Sequence, residues 1–197
     1  MSGPLAGDGL ERRVSLGELR ADLTEDRKLR GYAIVFNKLS LDLGGFRERI
    51  LPEAVTRTLK EALDVRALVD HDPSKIIGRT RAGTLDLRKD GHGLKATIDP
   101  PNTTVARDLL ESVSRGDISG MSFAFRTLED DWHMEDGEAV REVLDMEIRE
   151  VSVVSFPAYP QTDVAVAVRS LTAFQATRAP RRSLDWWQRW HKTQLAR

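Results

Sequence analysis

Chemistry has few places to start in this chain. Cysteine is absent and there are four histidines, His71, His92, His133 and His191. Disulfides, thiolate nucleophiles and cysteine zinc sites are therefore excluded, and serine becomes the natural covalent nucleophile. His71 follows the apolar run Val65-Arg-Ala-Leu-Val69, so its backbone is anchored while its ring sits at a sheet edge. Asp70 and Asp72 flank it and favour its protonated form if they lie close. It reads as a base or, equally well, as a surface turn histidine before Pro73. His92, His133 and His191 lie in polar segments and read as exposed.

Two further stretches carry chemistry-bearing side chains. In Gly116-Asp-Ile-Ser-Gly-Met-Ser-Phe-Ala-Phe125, turn-borne serines are ordinary, and the structural reading of Ser119 and Ser122 starts ahead. Ser122 is lifted by its place at the start of an apolar strand, which would hold its hydroxyl rigidly. A serine needs a base to attack at neutral pH, and His71 is the best one in this chain. In Glu147-Ile-Arg-Glu-Val-Ser-Val-Val154, Glu150 immediately precedes an apolar strand. An acid there can orient an imidazole and stabilise its charged form. It can equally be a strand-end carboxylate paired with Arg149 or Arg141, and Glu147 competes for the same role.

Other chemistries find little support. Gly44-Gly45 is too short for a phosphate loop, and no H-E-x-x-H helix is present. Asp70, His71 and Asp72 could ligate a metal, but adjacent strand residues point to opposite faces. No further histidine has ligand spacing, so neither a metal nor a cofactor is expected.

These residues need a scaffold of short strands. Arg12–Leu23 and Leu29–Phe36 read as strands around a polar turn, and Phe46–Ile50 as another. Pro52 suits the first turn of a helix whose apolar residues include Ala54, Val55 and Leu59. Ile76–Thr80, Thr84–Arg88 and Gly93–Ile98 follow as strands. Asn102 or Thr103 can cap a second helix with Val105, Leu109, Leu110 and Val113 on one stripe. Met121–Thr127, Val140–Ile148 and Val151–Phe156 read as strands around an acidic hairpin or loop at Glu129–Glu138, and Val164–Val168 closes the body. The expected fold class is α+β: a small closed or nearly closed antiparallel-rich β-barrel with flanking helices.

Composition bounds the rest. The chain has 197 residues, 40 % hydrophobic and 31 % charged, with a net charge of −1. That suits one soluble domain and excludes a disordered chain. No apolar run approaches the roughly 20 residues of a membrane span, and the N-terminus lacks signal-peptide character. The charge balance gives no sign of a nucleic-acid partner. The near-zero total conceals an asymmetry. Of 30 basic and 31 acidic residues, seven basic and one acidic follow Val168, leaving the tail basic and the body acidic. The expected organisation is a flexible N-terminus at 1–11, a body at 12–168 and a basic tail at 169–197. Ser183 can cap a tail helix with Leu184, Trp187, His191 and Leu195 on one stripe, beside Trp186 and Trp190. Such a helix docks on a partner or packs on the body.

The ordered motifs resemble one family. They are Gly31-Tyr-Ala-Ile-Val-Phe36, Phe46-Arg-Glu-Arg-Ile50 with Pro52-Glu-Ala54, and Val69-Asp-His-Asp72 with Ile77-Gly-Arg-Thr80. Arg115-Gly-Asp-Ile-Ser-Gly-Met-Ser-Phe-Ala-Phe125 and Glu150-Val-Ser-Val-Val154 with Phe156-Pro-Ala-Tyr159 complete the set. In this order, across about Arg12 to Val168, they resemble the prohead proteases of tailed bacteriophages and gene-transfer particles, distant relatives of the herpesvirus assemblins. The resemblance implies a herpesvirus-protease-like barrel and a serine endopeptidase inside the assembling procapsid, in the cytoplasm of a bacterial host. It implies His71 as general base and Ser122 as nucleophile. Glu150 stands where herpesvirus relatives carry a second histidine. The implied substrates are the internal scaffold, or the scaffolding segment of the major capsid protein, and the protease itself. The implied partners are the major capsid protein and scaffold, with self-association of the protease. Neither nucleic acid nor membrane is an expected partner. A reading from another class is a non-catalytic assembly or scaffold factor with the same fold, against which the presence of both His71 and Ser122 argues.

Overall fold

The computed structural model describes residues 9–15, 19–22, 27–155 and 165–178. Its strands form two sheets. The first contains β1 (Glu11–Ser15), β4 (Phe46–Ile50), β5 (Arg66–Val69), β6 (Asp72–Arg79), β9 (Gly120–Glu135) and β10 (Glu138–Val154). The second contains β2 (Leu19–Ala21), β3 (Leu29–Val35), β7 (Leu85–Lys89) and β8 (Gly93–Ile98). The helices are α1 (Thr56–Lys60), α2 (Thr104–Ser114) and α3 (Ala165–Arg178).

The first sheet runs β1-β9-β10-β5-β6, and the second β2-β3-β8-β7. The fold is thus strand-rich α+β. Of the expected closed or nearly closed barrel, closure is not seen among the described residues, where each sheet keeps free edges. Pairing is mostly antiparallel. The exceptions lie along β10, which pairs in parallel with β4 at Ala139–Val143 and with β5 at Glu150–Val153. This 17-residue strand therefore spans the whole sheet, with β9 along its other side.

One apolar core joins the two sheets and α2. Leu94, Ala96 and Ile98 alternate inward along β8, as a strand with one buried face must, and meet Leu29, Met121, Phe123 and Val151 in the same cluster. Helix α2 adds Ala106, Leu109, Leu110 and Val113, and the Thr103 hydroxyl accepts from the Ala106 amide as its cap. Ala106 takes the inward position expected of Val105, which is exposed. A second cluster gathers Leu43, Phe46 and Ala139 with Ala167 and Leu171 of α3. Trp132 stacks on Phe174 there and donates to the Ser170 hydroxyl.

A buried ionic clamp lies along the first sheet. Arg141 donates to Glu11 at 2.7 Å, Glu48 at 2.9 Å and Asp130 at 2.6 Å. Arg13 donates to the same two glutamates, each at 2.8 Å. Burial pushes the Glu11 carboxyl up, but the Arg141 hydrogen bond and the charges of Arg141 and Arg13 outweigh it and hold its pKa below the usual range. The clamp fixes edge strand β1 to the sheet.

Several sequence expectations shift. Arg12–Leu23 is not one strand: its described parts go to β1 in the first sheet and β2 in the second. Glu11, assigned to the flexible N-terminus, is buried in β1. Of the two readings of the acidic segment Glu129–Glu138, the hairpin is the one formed: the segment is the tip of the β9–β10 ladder. The expected closing strand Val164–Val168 gives way to α3, which runs through the expected body–tail boundary at Arg169. The tryptophan helix of the tail and Phe156–Tyr159 fall outside the described residues.

Candidate active site

His71 sits in a two-residue turn between β5 and β6, where Val69 pairs with Asp72. Asp70 and His71 both have positive φ, 49° and 59°. The turn is tied to β10: the Asp70 amide donates to the Val153 carbonyl at 2.9 Å. The Asp70 carboxylate accepts from the Ser155 amide and hydroxyl, each at 2.8 Å. Asp70 and Asp72, weighed above as metal ligands, are thus engaged elsewhere. Asp72 accepts from the Ser74 hydroxyl and amide, which hold its pKa below the usual range.

From this turn the imidazole meets Glu150, with a hydrogen bond between His71 Nδ1 and Glu150 Oε1. A carboxylate only accepts, so Nδ1 carries the proton and donates. The neutral ring then presents Nε2 as an acceptor. Arg12 Nε stands 4.0 Å from the same carboxylate oxygen. Arg149 pairs with Glu147, and Arg141 belongs to the clamp, so neither alternative partner weighed for Glu150 takes it. Glu147, the competing acid, is held by Arg149 at 2.8 Å.

Ser122 lies on the same face as Glu150. Along the β9–β10 ladder Glu150 faces Ala124 and Ser152 faces Ser122, with no bulge between these pairs. Side chains two apart on a strand share a face, so Glu150, Ser152 and Ser122 point the same way. Phe123 and Val151 alternate with them and enter the core. Ser122 is 1 % exposed, and its Oγ donates to the Arg13 carbonyl at 2.8 Å. The structure therefore joins His71 to Glu150 directly and sets Ser122 on the adjoining strand, with its proton directed at β1.

The remaining histidines lie elsewhere. His92 stands edge-on to Tyr32 in the β7–β8 turn, and His133 approaches Glu135 on β9. His191 is outside the described residues. Sequence reasoning missed three contributors: Asp70 as the tie of the turn, Arg12 beside Glu150, and Ser152 opposite Ser122. Ser152 had a signal, as the lone polar residue in Val151-Ser-Val-Val154. Arg12 had none, because only the β1–β9 pairing brings it there.

A strand-built α+β scaffold with a carboxylate-bound imidazole and a serine on one sheet face suits hydrolytic chemistry. The family described as caudovirus prohead serine protease matches residues 16–177, most of the chain. The chain belongs to this family and is a serine protease. Its setting is bacteriophage capsid maturation, with capsid proteins inside the prohead. Among solved structures it is similar to the bacteriophage T4 capsid assembly protease, gp21, with a TM-score of 0.49 and 10 % identity over 74 % of this chain and 96 % of that one. No curated protein sequence matches it significantly.

Proposed function

We propose that this protease cleaves its substrate with Ser122 as nucleophile, His71 as general base and Glu150 as the acid that orients His71. The observation that carries this reading is the bond from His71 Nδ1 to Glu150, on the sheet face where Ser122 sits one strand away. Ser122 Oγ attacks the scissile carbonyl carbon while His71 Nε2 takes its proton. His71 then gives that proton to the leaving amine, and water repeats the sequence to release the acyl group. Glu150 fixes the tautomer with Nε2 free and stabilises the imidazolium formed midway. In the structure the Ser122 proton points at Arg13, so catalysis requires it to turn toward His71.

The proposed substrates are the scaffold, or the scaffolding segment of the major capsid protein, and the protease itself. The proposed site of action is the assembling procapsid in a bacterial cell. Residues 11–178 are proposed as the protease body, since Glu11 is buried in β1 and Leu171 of α3 packs in the second apolar cluster. The basic segment that follows, with its three tryptophans, is proposed as the part that docks on capsid or scaffold protein.

Co-expression with the major capsid protein, read by mass spectrometry of new termini, tests the site. Ser122→Ala is expected to yield no new termini while folding normally, and normal processing by it would overturn the assignment. Glu150→Gln is expected to slow cleavage by about 10³–10⁴-fold, because an amide no longer fixes the correct tautomer. Glu147→Gln should stay within a few-fold of wild type. Equal effects would remove Glu150 from the site.

A further inference from the structure

Ser152 lies wholly buried on β10, and among the described residues its Oγ has no hydrogen-bond partner. Folded proteins seldom keep a buried hydroxyl unpaired, since desolvation goes uncompensated, and an alanine would avoid that cost. The neighbours Val151, Val153 and Val154 are all apolar and buried, so the strand does not call for a polar residue. What distinguishes position 152 is its place. It faces Ser122 across the ladder and stands two residues from Glu150 on the same side. Facing residues of an antiparallel pair have Cβ atoms about 4.5–5.5 Å apart. Rotation about χ1 brings two serine hydroxyls at that separation within hydrogen-bonding distance.

Ser122 supplies the other half of the argument. Its hydroxyl donates away from β10, to the Arg13 carbonyl on β1. In that arrangement Ser152 is left without a partner among the described residues. When the Ser122 proton turns to His71, the bond to Arg13 is given up. The Ser122 oxygen then has one lone pair for the substrate carbonyl and one free to accept.

We propose that Ser152 is a positioning residue of the proteolytic site: its hydroxyl donates to Ser122 Oγ once the Ser122 proton has turned from the Arg13 carbonyl to His71. This rests on the reading of Ser122 as the nucleophile. Ser152 keeps its own proton throughout, and no covalent bond forms or breaks there. Its bond holds Ser122 in the attacking rotamer and offsets the loss of the Arg13 contact. The hydroxyl unsatisfied at rest is thereby satisfied in the reactive arrangement.

The test is the rate of labelling by a fluorophosphonate probe, measured on the full chain for wild type, Ser152→Ala, Ser152→Thr and Ser122→Ala. Ser152→Ala is expected to unfold at the wild-type temperature or above, having lost only an unpartnered group. It should label about 10-fold more slowly, the worth of one modest hydrogen bond in the transition state. Ser152→Thr keeps the hydroxyl and should recover most of the rate. Wild-type labelling of Ser152→Ala, with Ser122→Ala silent, overturns this proposal alone. So does a Ser152→Thr variant as slow as Ser152→Ala, or a marked loss of thermal stability in Ser152→Ala. Undiminished labelling of Ser122→Ala instead overturns the Ser122 reading, and this inference with it.

Discussion

The β9–β10 hairpin turns through Asp136 and Gly137, with φ of 51° and 87°, and the β5–β6 hairpin turns through Asp70 and His71, with φ of 49° and 59°. Both loops have two residues with positive φ, the signs a type I′ turn requires, and Asp-Gly is among the sequences that turn prefers. The first hairpin has it. The second places a histidine where glycine belongs, and the left-handed region costs a residue with a Cβ about 1–2 kcal/mol. Strain of this kind collects at functional sites. The Asp70 bonds to Val153 and Ser155 hold the strained turn against β10 and aim the imidazole at Glu150. The same geometry is thus filled by the residue the backbone favours at one end of the sheet, and by the residue the proposed chemistry needs at the other.

The sharpest break of this comparison is His71→Gly, which gives the second turn the first turn's chemistry. Cleavage of the capsid substrate is expected to fall by about 10⁴-fold or more, as for loss of a catalytic base elsewhere. Relief of the backbone balances the lost Glu150 contact, so the unfolding midpoint should move by no more than about 4 °C, roughly 1 kcal/mol at this chain length. A variant that cleaves normally would remove His71 from the mechanism. One that cannot fold would show the histidine to be structural.

The ionic clamp along β10 and β1 should show the opposite behaviour. Among the described residues, Arg141→Met leaves Glu11 and Glu48 buried with only Arg13 to compensate them. Breaking such a pair costs about 3–5 kcal/mol, a drop of about 10 °C or more in the unfolding midpoint. Labelling of the folded fraction should stay within a few-fold of wild type. Acid sharpens the same point. The folded pKa of Glu11 lies below its unfolded value. Its contribution is therefore complete above the ordinary glutamate range and is lost as pH falls through the depressed value. Urea midpoints should decline on acidification in wild type and decline less in Arg141→Met; parallel curves would place the acid sensitivity elsewhere.

What the sequence reveals follows from how local the cause is. The stripe and cap of α2 are visible because a 3.6-residue period and a capping threonine act within a few residues. His71 and Glu150 stand out because each borders an apolar strand. The long β10 reads as two strands, since register shifts between Val143 and Met146 and between Ile148 and Glu150 interrupt its alternation. The acidic tip leaves hairpin and loop both open in the sequence, because charged residues disfavour strands, yet Arg49 bonds both Glu135 and Glu142 across it and the hairpin forms. Valines around 164–168 suggest a strand, but α3 instead sets Ala167 and Leu171 in the second apolar cluster. The clamp joins residues up to 130 positions apart, and no local pattern announces it. The Ser122 bond to Arg13 is hidden for the same reason.

Gly137→Ala gives the smallest effect and isolates the backbone term. Among the described residues, a Cβ at Gly137 meets nothing within 4 Å, so they offer no steric crowding. Only the positive φ of 87° opposes it. The left-handed penalty of about 1–2 kcal/mol is partly offset by about 0.4–1 kcal/mol from a less flexible unfolded chain. The expected result is a net loss of about 1 kcal/mol, read as a lower urea midpoint, with cleavage unchanged. That loss measures what an ordinary side chain costs in this turn, and so calibrates the strain carried by His71. A Gly137→Ala protein as stable as wild type would mean that two positive φ values are cheap in this fold. The histidine at 71 would then need no functional reason to sit where it does.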